Sequence, residues 1–305
     1  RWDEATYWSL PKIETFRVVI PGLFGYRMDT PNGGNYWGRV GESPRMPRHS
    51  GSGVYGGVVV SLLAVFAFFQ SLRGARSIFT PSERRAVWFW SGALGLSLLL
   101  AWGRHAPFYQ LFYALPYFST IRNPIKFMHP FNVALLVLFG YGFHALAKGY
   151  LGAGADHARA MSTSFKSWWG RAAKFEQNWV KGSALAVGAA VLGWLLYSSG
   201  RKDLVAHLKK TLPEDLAGQV ASFSFSEVGW FILFLGLAAV VVAFIMSGAL
   251  GRDRWKIGVG CLGVVLTGEM VRANTPWVSY WSFAEKYSPN WLTETLRKNP
   301  HEARV

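Results

Sequence analysis

The sequence predicts an all-α, polytopic membrane protein with about six transmembrane helices and with re-entrant or interfacial helices on its outer side. Three observations predict this class. Hydrophobic residues make up 51% of the chain and charged residues 16%, against roughly 25% charged in an ordinary soluble domain. The apolar residues gather into long continuous blocks, diluted to a mean hydropathy of +0.17 by the polar stretches between them. Basic residues cluster in short runs beside those blocks.

Six blocks span or nearly span a hydrocarbon core of about 30 Å, which takes roughly 17–25 helical residues. They are residues 54–72, 86–102, 131–147, 182–199, 228–247 and 257–271. Transmembrane strands alternate and need only about 10 residues, so continuous runs are expected to be helices. Glu269 stands near the end of the sixth block, three residues before Arg272, and the spacing predicts an ion pair between them.

Orientation follows from the loops, because Lys and Arg close to span ends stay in the cytoplasm. Arg73, Arg76, Arg84 and Arg85 lie between spans one and two, Lys148, Arg159, Lys166, Arg171, Lys174 and Lys181 between three and four, and Arg252, Arg254 and Lys256 between five and six. The chain thus divides into an outer segment (1–53), spans one to three (54–147) with an outer re-entrant loop at 103–130, a cytoplasmic amphipathic segment (148–181), spans four to six (182–271) with an outer loop at 200–227, and an outer tail (272–305). In the amphipathic segment Phe165, Trp168, Ala172, Phe175 and Trp179 share a helical face opposite Lys166, Arg171, Lys174 and Lys181. Such a helix suits the membrane surface, as an anchor or as a site for anionic lipid or a partner. The chain opens on Arg1, as expected of the internal or processed part of a longer polypeptide.

A formal charge of +15 raises nucleic-acid binding, but the cations sit in short clusters beside apolar blocks and form no contiguous stripe. No nucleic-acid partner is expected. Cys261 lies inside an apolar block and has no second cysteine to pair with. Neither a P-loop nor a dinucleotide glycine pattern occurs, no cofactor is implied, and the scattered outer acids predict no metal site.

The 103–130 loop carries the richest candidate chemistry. Pro107, Pro116, Pro124 and Pro130 interrupt any continuous helix there, and irregular backbone at membrane depth must be covered by protein or line a watery cavity. Arg122 and Lys126 would then meet a phosphate or pyrophosphate near the headgroups, with His105, Asn123 and His129 adding hydrogen bonds. The alternative is that both cations snorkel to ordinary phospholipid. In the outer segment Tyr36 and Trp37 are candidates for stacking on a sugar or acceptor, or for sitting at the membrane interface. Asp29 and Glu42 flank them as solvated acids or, alternatively, as a base or metal ligand, though no second carboxylate stands at a diagnostic spacing. In the third span His144 is a haem-type ligand or a packed residue.

In combination these stretches resemble the YfhO-like family of bacterial multi-pass membrane proteins, of the GT-C type of lipid-linked-sugar glycosyltransferases. The resemblance rests on Pro21-Gly22-Leu23-Phe24-Gly25, Tyr36-Trp37-Gly38, Tyr55-Gly56-Gly57, Gly103-Arg104-His105-Ala106-Pro107-Phe108-Tyr109, Leu115-Pro116-Tyr117-Phe118, Ile121-Arg122-Asn123-Pro124-Ile125-Lys126-Phe127, Asn274-Thr275-Pro276-Trp277 and Ala303-Arg304-Val305. It implies a transferase of the bacterial cytoplasmic (inner) membrane, moving a sugar from a polyprenyl-phosphate carrier to a cell-envelope acceptor at the outer, periplasmic face. In such enzymes a carboxylate of the first outer loop acts as base or metal ligand. By the resemblance this sequence is expected to begin after that loop, so no catalytic residue is assigned, and Arg122 and Lys126 are carried over as contacts to the carrier phosphate. A different class of function is a non-catalytic structural or accessory subunit with protein partners in a membrane complex, for which fifteen tryptophans provide anchoring surface.

Overall fold

The computed structural model describes residues 2–41, 54–152, 161–251, 254–278 and 280–298. Glu42, Arg159, Arg252 and the closing Ala303-Arg304-Val305 lie outside them. Among the described residues the chain is helical without strands; a single isolated bridge joins Arg27 and Asn35. Six long helices organise it: α1 (Val58–Ser71), α2 (Pro81–Ala101), α3 (Met128–Leu146), α4 (Lys174–Ser199), α5 (Glu214–Met246) and α6 (Trp255–Asn274).

Local chemistry explains their ends. At α2 the Thr80 hydroxyl accepts from the Glu83 amide at 3.3 Å while the Glu83 carboxylate accepts from the Thr80 amide at 2.6 Å, and Pro81 fills the first helical position. The bond from the Thr80 amide, then the Thr80 hydroxyl and Lys148, hold the Glu83 carboxyl below its usual range. Pro124 and Pro130 do not break α3. Pro124 opens a 3-10 turn leading into it and Pro130 sits in its first turn, where no intrahelical N–H is required. A π-turn at Ala147–Leu151 extends its far end.

Among the described residues three helical segments are long and apolar enough to cross a membrane: Pro124–Leu151, Lys174–Ser199 and Glu214–Met246. Val58–Ser71 is apolar but shorter. α4 makes the strongest case, since none of its residues is buried although Leu185, Leu192, Leu195 and Leu196 are apolar and exposed. A helix with that composition and so little protein cover is expected to be solvated by lipid.

α1 is the hub. It packs against α2, α3, α5 and α6, and Val59, Leu63, Phe66 and Ala67 are sealed from solvent. α3 comes so close that a Cβ on Gly142 would lie 2.1 Å from the Leu63 carbonyl oxygen, so glycine sets this crossing. α4 lies at the periphery against α5.

Two sequence expectations are corrected. The region 200–227, expected as an outer loop, is helical: Arg201–Leu208 forms one helix and Glu214 starts α5, which at 33 residues reaches about 50 Å. The amphipathic segment is not one helix either. It breaks between Trp169 and Lys174, where the Glu176 carboxylate accepts from the Ala173 amide at 2.9 Å and starts α4. Its aromatic face turns inward: Phe165 packs on Phe244 at 5.7 Å and Trp179 on Phe66 at 5.0 Å.

Residues 2–37 cover one end of the bundle. Leu10 donates to the Ala101 carbonyl at 2.9 Å, Gly56 and Gly57 donate to Val18 at 2.9 and 3.1 Å, and Asn123 and Ile125 donate to Ala5 and Trp8 at 2.8 and 2.9 Å. Arg73, Arg76, Arg84, Lys148 and Lys174 mark the opposite ends of α1 to α4. At that opposite end His144 meets the Glu83 carboxylate at 3.0 Å and stacks on Phe79.

Candidate functional site

Beneath the covering segment, buried ionic groups gather where α1 begins, α5 passes and α6 ends. A 3-10 helix, Lys12–Val18, carries Glu14 and Arg17 one turn apart, 3.2 Å from each other and 1% and 3% exposed. A buried carboxylate persists only when paired and hydrogen-bonded. Glu14 meets that requirement: the Tyr36 hydroxyl and the Arg39 amide each donate to it at 2.7 Å, and the Tyr36 hydroxyl accepts from the Val40 amide at 2.9 Å. Burial first, and the Glu14 carboxylate second, push the Tyr36 phenol well above its ordinary value. Tyr36 therefore stays a neutral donor.

Glu227 of α5, 2% exposed, takes both guanidinium arms of Arg272 from α6, the Nη1 contact measuring 3.1 Å. Tyr26 donates to the same carboxylate at 3.2 Å, and Arg272 lies over the Trp230 ring at 4.8 Å. A Cβ on Gly22 would lie 2.6 Å from the Glu227 carboxyl carbon, which leaves room only for glycine. Burial, followed by Glu227, raises the Tyr26 phenol far above its usual range.

The expected Glu269–Arg272 pair is thus corrected. Glu269 turns instead to α1, accepting from the Val58 amide at 3.2 Å and the Val59 amide at 3.1 Å. Gly57 precedes α1 with φ +101° and has no side chain with which to cap it, so α6 provides the acceptor. Sequence spacing favoured the neighbour three residues away; the two side chains face different helices.

A cavity of about 380 Å³ opens among these groups, lined by Arg17, Pro21, Tyr26, Val54, Tyr55, Asn274 and Trp277. Its walls combine three aromatic rings, an amide and a guanidinium neutralised by Glu14. Bound anions need uncompensated cations or converging N–H groups, whereas an uncharged polar ring needs aromatic faces and a few fixed donors. The cavity has the second character.

Arg122, Lys126, His105, Asn123 and His129 are not among the residues lining it. Arg122 lies on the surface, 2.9 Å from Glu4, the two side chains 62% and 65% exposed. Lys126 and His129 are exposed, and His105 and Asn123 half-buried. Asn123 adopts φ +63° where the chain turns into the Pro124 3-10 helix. Burial, then Arg104, Arg39 and Lys12, hold the His105 pKa below its ordinary value. Tyr36 is buried with its hydroxyl occupied, Trp37 packs on Phe24 at 4.7 Å, and Asp29 pairs with Arg27 at 3.4 Å.

Sequence reasoning missed Arg17, Tyr26, Tyr55 and Glu227 as members of one site. Tyr26 and Tyr55 adjoin glycine clusters, and Glu227 is the last acid before an apolar block, but nothing in their spacing joins them. No family model, curated protein or solved structure matches the chain.

Proposed function

We propose that this chain is a six-span, glycosyltransferase-like protein of the bacterial cytoplasmic membrane, which receives the sugar of a polyprenyl-phosphate donor in the Tyr26–Tyr55–Trp277 cavity on its outer face. One observation carries the reading: a charge-balanced, aromatic-walled cavity at the end of the bundle opposite the basic clusters. Retention of basic ends in the cytoplasm supports an outward-facing cavity end, and the packing of α1, α2 and α6 within the same bundle as the three longer apolar segments supports counting them as spans. Arg122, Lys126, His105, Asn123 and His129 form the approach for the carrier phosphate, Glu4 being displaced from Arg122 when it arrives. Transfer then follows attack of an acceptor hydroxyl on the anomeric carbon, with the departing lipid phosphate stabilised by Arg122 and Lys126. Tyr36 and Trp37 support the cavity through Glu14 and Phe24.

The test is binding of a polyprenyl-phosphate sugar to the detergent-solubilised chain. Trp277→Ala is expected to weaken it about tenfold, the upper range of one aromatic contact, and Arg122→Ala to weaken it while leaving the free sugar unaffected. Wild-type binding by both variants would sink the reading.

A second reading, a non-catalytic subunit of a larger complex, is favoured by the segment after α6. Tyr280, Trp281, Phe283, Tyr287 and Trp291 are 65–92% exposed there. Co-purification of a partner that Trp281→Ala plus Trp291→Ala abolishes, with no sugar-lipid binding, selects it.

A further inference from the structure

A second cavity, of about 480 Å³, lies far from the ionic cluster, between α1 and α4. Leu62, Val65 and Phe69 form one wall, and Phe175, Trp179, Gly182, Ser183 and Ala186 of α4 the other. The helices meet toward the basic end, where the Phe66 ring lies 6.0 Å from Phe175 and 5.0 Å from Trp179. Beyond Gly182 the wall is open, since a Cβ there would meet nothing within 4 Å. Val65 and Phe69 are 47% and 48% exposed, so the groove faces sideways into whatever solvates α4. Asn178 and Ser183 are the polar residues of an otherwise apolar lining, which favours a hydrocarbon chain over water, and α4 has the composition of a lipid-solvated helix.

The groove ends at a cation. The Arg73 guanidinium lies 4.4 Å over the Phe175 ring that closes the basic end, and its Nη1 donates to Gln70 at 3.0 Å, which holds the charge in place. Lys174 begins α4 on the same side. Apolar walls leading to fixed positive charge match a lipid with acyl chains and an anionic headgroup.

We propose that the α1–α4 groove holds one acyl chain of an anionic phospholipid drawn from the leaflet on the basic side, its headgroup phosphate resting at Arg73. The site fastens the peripheral helix α4 to the hub helix α1 where protein contacts leave a gap. It is independent of the sugar-binding reading, which concerns the other end of the molecule.

Native mass spectrometry of the full chain in mild detergent tests it, with phosphatidylglycerol and phosphatidylcholine of identical acyl chains as probes. The wild type is expected to retain phosphatidylglycerol at least about tenfold better, a preference of ~1.4 kcal/mol. Arg73→Gln should equalise the two lipids, and Gly182→Leu and Ser183→Phe, which fill the groove from α4, should lose both without a matching fall in melting temperature. Phosphatidylglycerol retained at the wild-type level by both filled variants overturns the proposal. So does equal retention of the two lipids, or of neither, by the wild type.

Discussion

Removing the Glu269 carboxylate tests whether α6 caps α1. Val58 and Val59 present two of the N–H groups that an isolated helix leaves without partners, and Glu269, 1% exposed, accepts both at 3.2 and 3.1 Å. In Glu269→Ala each N–H is stranded, at about 1–3 kcal/mol apiece. The helix dipole loses a favourable charge worth about 0.3–2 kcal/mol. Against this, a costly buried carboxylate disappears. The net expectation is a loss of about 2–4 kcal/mol for Ala. Glu269→Gln keeps an oxygen acceptor and should lose about 1 kcal/mol. The assay is reversible unfolding in mixed micelles, titrated with denaturing detergent and followed by helical circular dichroism. An Ala variant within about 0.5 kcal/mol of wild type, or a Gln variant as damaged as Ala, refutes the cap, because background surface substitutions fall within that range.

Two further outcomes follow from the same geometry. Gly142→Ala drives a Cβ to 2.1 Å from the Leu63 carbonyl oxygen and should cost about 1–3 kcal/mol by forcing α1 and α3 apart, while Gly140→Ala, whose Cβ meets nothing within 4 Å, should be neutral or slightly stabilising; equal effects in the unfolding titration would discard the close crossing. His105 has a folded pKa below its ordinary value of about 6.5. The unfolded chain therefore takes up the proton first as pH falls. Stability from the neutral ring is complete above about pH 6.5 and declines below it, down to the depressed pKa. Melting temperatures should fall more steeply across that window for wild type than for His105→Gln, and parallel slopes would remove His105 as the cause.

Much of the fold was legible without coordinates because lipid-spanning helices announce themselves by composition. The third block read as 131–147 is found within the helical segment Pro124–Leu151, and the fourth as 182–199 within Lys174–Ser199. The errors lie where polar sequence is helical. α5 runs from Glu214, well before its apolar block, because Glu214 and Asp215 favour a helix start and Ala217, Val220, Ala221 and Phe225 bury a stripe against Tyr197, Leu204, Val205 and Leu208, with Trp37 of the covering segment. Hydropathy sees only the part that is apolar all round. The aromatic face at 165–179 was visible as a periodic stripe, but a stripe does not reveal whether lipid or Phe66 and Phe244 will cover it.

By itself the sequence determined the helical class, the apolar segments and the gathering of basic residues near particular helix ends, because these depend on composition and on neighbours along the chain. Tertiary structure alone decided that Arg272 meets Glu227 while Glu269 caps α1, that Tyr36 is buried against Glu14, and that the aromatic cavity excludes the Arg122 segment from its walls. Glu269 and Arg272 are three residues apart on one helix, and yet helix rotation and packing direct each to a different neighbour. Which charges neutralise one another, and hence what a cavity accepts, is settled by that rotation.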